Sequence, residues 1–282
     1  MVRLEAASEA IRTTFPNGLV DVYAGVTALG NPGVLTVLLA LVYWGYRREG
    51  TATVVGYAFL AFALVLFLKE LFAMPRPPES VMLVGEDGYG FPSGHAIAGV
   101  VVYGGLALEF DWFEEPPKAF GAGLLALSVG LSRIVLGVHY LGDVLVGAAL
   151  GLVVLVAGHS LWRDRPAVGY GLGAVVAAPA VLVSDGDPQT VALLGSCLGG
   201  VWACRTVTPL PSDPDRAELA FLLAVGVLLA LGLVVARGVL ETNGPAQFVL
   251  GVVTVATILA LPASLDRLGA FAVVRRLTGR AT

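Results

Sequence analysis

The chain has 282 residues, of which 57% are hydrophobic and only 13% are charged, and its mean hydropathy is +0.84. Soluble domains carry roughly 25% charged residues, so this composition excludes an ordinary soluble protein and predicts a polytopic membrane protein. The formal net charge is −4, and basic residues cluster only beside apolar runs, so we do not expect nucleic-acid binding.

The first 25 residues place Leu4, Ile11 and Phe15 at helical spacing among polar residues. This pattern is typical of a short helix lying in the membrane interface, although a frayed terminus explains it equally well. The first apolar run, about 26–46, is interrupted by Asn31-Pro32-Gly33. Because the part after the break is shorter than the ~20 residues that a bilayer requires, we expect one kinked span.

Eight further apolar runs follow, so the sequence predicts an all-α, polytopic membrane bundle of about nine spans. These runs cover about 51–72, 93–110, 119–136, 140–162, 168–183, 189–204, 217–236 and 246–264. The polar segment from Trp162 to Pro166 indicates a boundary. We therefore divide the chain into an interfacial segment (1–25), a membrane core of five to six helices (26–162), and additional membrane helices with a basic tail (167–282), whose role the sequence does not indicate.

The distribution of cations predicts the orientation of these spans. Strict alternation places eleven of the 17 Lys and Arg residues on the face opposite to Lys69: Arg47, Arg48, Lys118, Arg163, Arg165, Arg205, Arg216, Arg267, Arg275, Arg276 and Arg280. Because cytoplasmic loops carry the excess of Lys and Arg, the face that bears Lys69 is predicted to be extracytoplasmic.

Three separated segments bring polar residues to this outer face. They carry Lys69 and Arg76, then Ser93, Gly94 and His95, then Arg133, His139 and Asp143. Ionisable residues at the ends of apolar helices need partners, and this set has more cations than anions. The excess positive charge predicts a pocket for an anion.

The second segment points to phosphate as that anion. Pro92-Ser93-Gly94-His95 lies at a predicted helix start, where free backbone N–H groups and the helix dipole attract phosphate. Ser93 is a helix-capping residue type, and Gly94 permits close approach. Arginines can donate two hydrogen bonds to phosphoryl oxygens, and Lys69 adds a point charge.

The third segment supplies candidate catalytic groups. His139 and Asp143 are four residues apart, so on a helix they lie one turn from each other on the same face. His95 has no such carboxylate, and this asymmetry is the one local difference between the two histidines. The Cys, His and acidic residues do not show metal-site spacing, so we expect no metal and no cofactor.

Taken together, the motifs resemble the three-part signature of the type 2 phosphatidic acid phosphatase superfamily, which comprises membrane lipid phosphatases and related haloperoxidases. The matching residues are Lys69-(six residues)-Arg76-Pro77, Pro92-Ser93-Gly94-His95, and Ser132-Arg133-(five residues)-His139-(three residues)-Asp143. The resemblance covers about residues 26–162. It implies a metal-independent phosphatase and makes 26–162 the phosphatase core.

The resemblance also implies roles for the residues. His139 is similar to the nucleophile that forms a phosphohistidine, Asp143 to the residue that orients it, and His95 to the acid that protonates the leaving oxygen. The residues that resemble phosphoryl-binding groups are Lys69, Arg76, Ser93, Gly94 and Arg133.

We therefore predict a multi-pass cell-membrane enzyme that hydrolyses a lipid phosphate or polyprenyl diphosphate at the outer face, with membrane lipids as its surroundings. A phosphotransferase that uses the same intermediate is the nearest alternative, and a lipid transporter or flippase is the alternative of another class. A soluble phosphomonoester substrate and haloperoxidase chemistry stay open as well. The sequence carries no signal for an oligomeric state.

Overall fold

The computed structural model of the protein describes residues 3–46, 48–207, 214–240 and 243–277. Two of the cations used to predict the orientation, Arg47 and Arg280, lie outside these residues, and the predicted basic tail is described only as far as residue 277. Within the described ranges the chain is all-α, as predicted.

Twelve α-helices are present in the described part of the chain. They are α1 (Glu5–Thr14), α2 (Val20–Ala28), α3 (Pro32–Gly45), α4 (Arg48–Phe72), α5 (Gly94–Glu109), α6 (Pro116–Val135), α7 (Leu141–Trp162), α8 (Pro166–Val183), α9 (Pro188–Thr206), α10 (Arg216–Val239), α11 (Gly244–Arg267) and α12 (Ala270–Leu277). Short 3₁₀ turns lie at Asn17–Leu19, Glu79–Val81 and Trp112–Glu114.

The nine predicted spans each correspond to a helix or a helix pair, but they are not equally able to cross a membrane. In the described residues, six helices are long and apolar enough to do so: α4, α6, α7, α8, α10 and α11. The number is seven if α2 and α3 are counted as one broken span. The two helices are bent by 50° at the break between Ala28 and Pro32, which contains Asn31, as the sequence predicted. The helix α5 has only 16 residues, and α9 is not among the six. The protein is a multi-pass membrane protein.

An asparagine or aspartate followed by proline defines two helix starts, those of α3 and α9. Asn31 Oδ1 accepts the backbone N–H of Gly33 at 2.9 Å at the start of α3. Asp187 Oδ2 accepts the N–H of Gln189 at 3.0 Å at the start of α9. These side chains satisfy N–H groups that have no partner within the helix, and the proline that follows each has no N–H to satisfy.

The core and the additional helices form one continuous apolar interior, to which residues from Leu35 to Leu261 contribute. A specific hydrogen bond joins them: Trp44 Nε1–H donates to the Ile258 carbonyl at 2.8 Å. Pro262 lies inside α11 four residues later and has no N–H for that carbonyl, so the indole of α3 replaces the missing helical bond. Tyr43 Oη–H donates to the adjacent Leu259 carbonyl at 2.8 Å. α11 is therefore packed against α3 in a defined register.

Candidate active site

The three motif segments meet at one end of the bundle, where α4 ends, α5 begins, and α6 is connected to α7. Ser93 N–H donates to the Asp143 carbonyl at 3.0 Å, which ties the start of α5 to the first turn of α7. Arg76 Nη1–H donates to the Val138 carbonyl at 3.1 Å, which ties the loop after α4 to the α6–α7 connection. These contacts bring together residues that are 50 and 62 positions apart in the sequence.

His139 is buried, and its hydrogen bonds define its tautomer. Its Nδ1 lies 2.6 Å from the Gly90 carbonyl oxygen, which can only accept. Its Nε2 lies 3.2 Å from Arg76 Nη1, which can only donate. The proton is therefore on Nδ1 and the lone pair is on Nε2. Nε2 is the atom that can act as a nucleophile.

The surroundings of His139 favour the neutral imidazole. Burial lowers the pKa of His139 to about 4, and the charges of Arg133, Arg76 and Lys69 act in the same direction, while Asp143 opposes them. A neutral ring has the free lone pair that nucleophilic attack requires. The histidine is thus unprotonated at neutral pH.

Asp143 is fully buried and is held by a residue outside the three motifs. Arg3 donates to it through two hydrogen bonds of 2.8 Å, Nε–H to Oδ1 and Nη2–H to Oδ2. Tyr140 N–H donates to Oδ2 at 2.9 Å. Asp143 Oδ2 lies 3.6 Å from His139 Nδ1, beyond hydrogen-bond distance. The Nδ1–H group donates its hydrogen bond to the Gly90 carbonyl instead. The predicted pair is therefore adjacent, but its direct hydrogen bond is not formed in this arrangement.

Arg133 and Arg76 face a common carboxylate. Arg133 Nη2 lies 2.7 Å from Glu86 Oε2, and Arg76 Nη2 lies 3.4 Å from Glu86 Oε1. Arg133 Nη1–H also donates to Thr27 Oγ1 at 3.0 Å, which connects the site to α2. The two guanidinium groups therefore lie close enough to share one anion.

Two buried side-chain atoms of the site, one at the N-cap of α5 and one in α6, have no protein partner in the described residues. Ser93 is at the N-cap position, but its hydroxyl makes no capping bond. Ser93 Oγ and Arg133 Nε are both buried, and neither has a hydrogen-bond partner in the described part of the chain. Buried polar atoms are normally paired, so these groups are suited to a polar ligand. The first N–H groups of α5, which begins at Gly94, can add to this set.

Lys69 and His95 complete the cluster. Lys69 is in the last turn of α4, within electrostatic range of Arg76, Glu86 and Arg133. His95 is in the first turn of α5, within electrostatic range of Arg133, Glu86 and His139. All eight sequence-predicted site residues therefore lie at the same end of the bundle.

Three contributors were not predicted from the sequence: Arg3, Glu86 and the Gly90 carbonyl. The sequence assigned Arg3 to an interfacial segment and Glu86 to a loop, and a backbone carbonyl carries no sequence signal. The one available hint for Glu86 was its position between two motifs in a chain that otherwise avoids charge. Among the described residues, no group of three or more His, Cys, Asp or Glu is arranged to hold a metal ion.

Comparison with known proteins gives consistent matches. The family model of the PAP2 superfamily matches residues 50–167. Phosphatidylglycerophosphatase B of Bacillus subtilis is 33% identical over 160 residues, which cover 53% of this chain and 78% of that protein. Decaprenylphosphoryl-5-phosphoribose phosphatase of Mycobacterium tuberculosis is 34% identical over 128 residues, which cover 43% and 66%. The crystal structure of a PAP2-type phosphatidylglycerolphosphate phosphatase from Bacillus subtilis is similar with a TM-score of 0.48 and 27% identity, covering 57% of this chain and 84% of that chain.

Proposed function

Because the chain belongs to the PAP2 superfamily and is a phosphoric ester hydrolase, we propose that it hydrolyses a lipid phosphate or polyprenyl diphosphate through a phosphohistidine on His139, without a metal ion. The observation that carries this proposal is the tautomer of His139, whose Nε2 lone pair lies beside Arg76. Residues 26–162 form the catalytic core in this proposal.

In the first step, the Nε2 lone pair of His139 attacks phosphorus, a P–N bond forms, and the bond from phosphorus to the lipid oxygen breaks. His95 donates a proton to that leaving oxygen. In the second step, neutral His95 takes a proton from water, the water oxygen attacks phosphorus, and the P–N bond breaks. Inorganic phosphate is released and both histidines return to their initial protonation states.

The phosphoryl group is held by positive charge and by hydrogen-bond donors. Arg76 and Arg133 bind its equatorial oxygens, and Lys69 adds charge. Ser93 Oγ, Arg133 Nε and the first N–H groups of α5 complete the cradle, since the two side-chain atoms have no other partner in the described residues. The Gly90 carbonyl orients the imidazole through Nδ1–H, and Asp143, 3.6 Å from the same nitrogen, supports that orientation and stabilises the positive charge that develops on the ring.

We place the site at the extracytoplasmic face of the cell membrane, because the cation-rich helix ends lie at the opposite end of the predicted spans. Asp164 and Asp185 flank α8 at its two ends and provide a matched pair for testing. An impermeant maleimide applied to whole cells is expected to label Asp185→Cys and not Asp164→Cys, with the parent chain measuring the background from the two native cysteines. The reverse labelling would invert the orientation.

The catalytic proposal is tested by phosphate release in detergent with EDTA from phosphatidate, phosphatidylglycerol phosphate and a polyprenyl diphosphate. His139→Ala is expected to abolish release, and His95→Ala to reduce it about 10²- to 10⁴-fold, the usual contribution of a general acid. His159→Ala, near Glu109 at the opposite end of the bundle, is the matched control. Full activity of His139→Ala, or loss of wild-type activity with EDTA alone, would contradict the mechanism; phosphate found on an added alcohol would indicate a transferase.

A further inference from the structure

A cavity of about 360 Å³ lies between the core and the additional helices. Core helices α3 and α4 and the first residue of α5 form one side, and α9 and α11 form the other. Among the described residues that line it, none is charged. Its volume is within the range of small-molecule sites, so it can hold part of a hydrocarbon chain.

The walls of this cavity are less polar than their residue types indicate. Thr36, Ser196 and Thr254 each donate their hydroxyl hydrogen to a carbonyl one turn earlier in their own helix, at 2.7, 2.8 and 2.7 Å. Their hydroxyl donors are therefore already used. The remaining lining includes large apolar side chains, among them Phe62 and Leu193. The amides of Asn31 and Gln189 are the other polar side chains of the lining, so most of the described wall is suited to an apolar ligand.

One end of the cavity lies close to His95, one of the two histidines of the site. Gly94, which contributes to the lining, directly precedes His95. Asn31, also in the lining, directly follows Gly30, where an added Cβ would lie 3.3 Å from the His95 side chain. The cavity thus ends close to His95, the proposed proton donor to the leaving group, although His95 itself is not part of the lining.

We propose that this cavity binds the hydrocarbon chain of the lipid whose phosphate is cleaved, so that α9 and α11 belong to the substrate site. The inference rests on the proposed function. In an in-line displacement, the leaving oxygen lies opposite the nucleophile, so a lipid leaving group extends from phosphorus on the His95 side. That is the side on which the cavity begins. The additional helices α9 and α11 then provide binding energy for the hydrocarbon chain of the substrate.

Photolabelling of the wild-type protein tests this proposal directly. The probe is a non-hydrolysable lipid phosphonate with a diazirine in its acyl chain, and the labelled residues are mapped by mass spectrometry. Labels are expected on Leu193 and Val255, and excess phosphatidate is expected to remove them. Labels confined to the exposed residues Leu198 and Val253 of the same helices, or equal labelling by a diazirine phosphatidylcholine, would overturn the proposal.

Filling the cavity provides a kinetic test. Thr254→Phe and Thr36→Phe, from opposite walls, are expected to lower kcat/KM at least tenfold for dipalmitoyl phosphatidate while changing hydrolysis of water-soluble p-nitrophenyl phosphate less than twofold. Val253→Phe, at a position 42% exposed on the same helix, is the matched control and is expected to have no effect. An equal change for both substrates would overturn the chain-binding role. Absence of phosphate release from every substrate in the wild type would instead contradict the proposed function itself.

A second, independent observation concerns Arg3. Its side chain is only 14% exposed, it forms the bidentate ion pair with the fully buried Asp143, and its Nη1–H donates to the Pro75 carbonyl at 2.5 Å. Its guanidinium carbon lies 4.5 Å from the centre of the Tyr140 ring, and its own carbonyl accepts Gly142 N–H at 3.0 Å. One residue thus connects the N-terminal segment, the loop after α4 and the start of α7.

We infer that Arg3 is a positioning residue, which holds Asp143 and balances its charge so that His139 stays neutral. Without Arg3, the buried carboxylate would attract a proton to the nearby imidazole more strongly. The other charged or titratable groups that face this pair are Arg76, Arg133, Lys69, Tyr140 and His95. Three of these five, Arg76, Arg133 and Lys69, are cations that also oppose protonation of His139.

The pH profile distinguishes this role from a purely structural one. In Arg3→Ala, the acid limb of kcat/KM is expected to move at least one pH unit upward; in Arg3→Lys, the limb is expected to stay in place while kcat falls. Arg12→Ala is the control; Arg12 lies in α1, which follows Arg3 in the chain, and it pairs with Glu9. A uniform loss at all pH values, or an unchanged profile in Arg3→Ala, would overturn the inference. If Arg3→Ala does not fold, Arg3→Gln is measured in the same way with the same expected shift.

Discussion

Replacing Glu86 by Gln removes the negative charge that lies between Arg133 and Arg76. In the structure, the Glu86 carboxylate contacts both guanidinium groups, at 2.7 and 3.4 Å, where the phosphoryl group of the substrate is proposed to bind. Burial raises the pKa of Glu86, but the charges of Arg133 and Arg76 outweigh that effect and hold the pKa below its usual value. The carboxylate is therefore ionised at neutral pH and competes with phosphate for the same donors.

The magnitude follows from the contacts. A hydrogen bond to a charged partner contributes about 1.5–3 kcal/mol, and the 30% exposure of the Glu86 side chain favours the lower end. A phosphate that must displace this carboxylate loses about 1.5 kcal/mol of binding free energy, which corresponds to roughly a tenfold weaker affinity. Glu86→Gln should therefore bind phosphate about tenfold more tightly.

The assay is product inhibition of phosphate release by inorganic phosphate. The inhibition constant is expected to fall about tenfold in Glu86→Gln, while Glu79→Gln in the same loop leaves it unchanged. The difference between the inhibition constants of wild type and Glu86→Gln is expected at neutral pH and above. It should disappear only when the pH falls below the lowered pKa of Glu86, because the wild-type carboxylate is then protonated. An inhibition constant that is unchanged or higher in Glu86→Gln would refute this reasoning.

Three further predictions concern the pH profile and stability. The acid limb that His139 contributes to kcat/KM of the free enzyme is expected near pH 4, since burial lowers its pKa to about 4; a limb near 6.5, seen in a pH–rate profile, would contradict this. Gly137→Ala is expected to lower the free energy of unfolding by at least about 2 kcal/mol, because φ is +72° and a Cβ would lie 2.1 Å from a loop carbonyl oxygen; denaturation in detergent measures it. Trp44→Phe is expected to cost about 1–3 kcal/mol by leaving the Ile258 carbonyl unpaired, and less in a Pro262→Ala background, where the helix regains its own N–H donor. Equal costs in both backgrounds, in a double-mutant cycle of thermal unfolding, would show that the indole does not replace the missing helical bond.

The helices and the motif residues could be predicted from the sequence because both depend on local patterns. Apolar runs of bilayer length are visible residue by residue, and Pro32 after Asn31 predicts the break that the structure shows as a 50° bend. The boundaries of the helices differ from the predicted ones by a few residues. For example, α5 begins at Gly94 and has 16 residues, so it is shorter than the span predicted over 93–110. The spacing of His139 and Asp143 likewise required only the geometry of one helical turn.

What the sequence by itself determined is therefore the all-helical membrane fold and the types of residue available for phosphate chemistry. The tertiary structure decided which groups contact them. Arg3 forms hydrogen bonds with Asp143, 140 residues away in the sequence, and the Gly90 carbonyl accepts the Nδ1–H of His139, 49 residues away. It also placed α11 against the core, through a hydrogen bond between Trp44 and a carbonyl 214 residues away. Such contacts leave no local periodicity or spacing, because they depend on how the helices pack and not on the order of residues within any one of them.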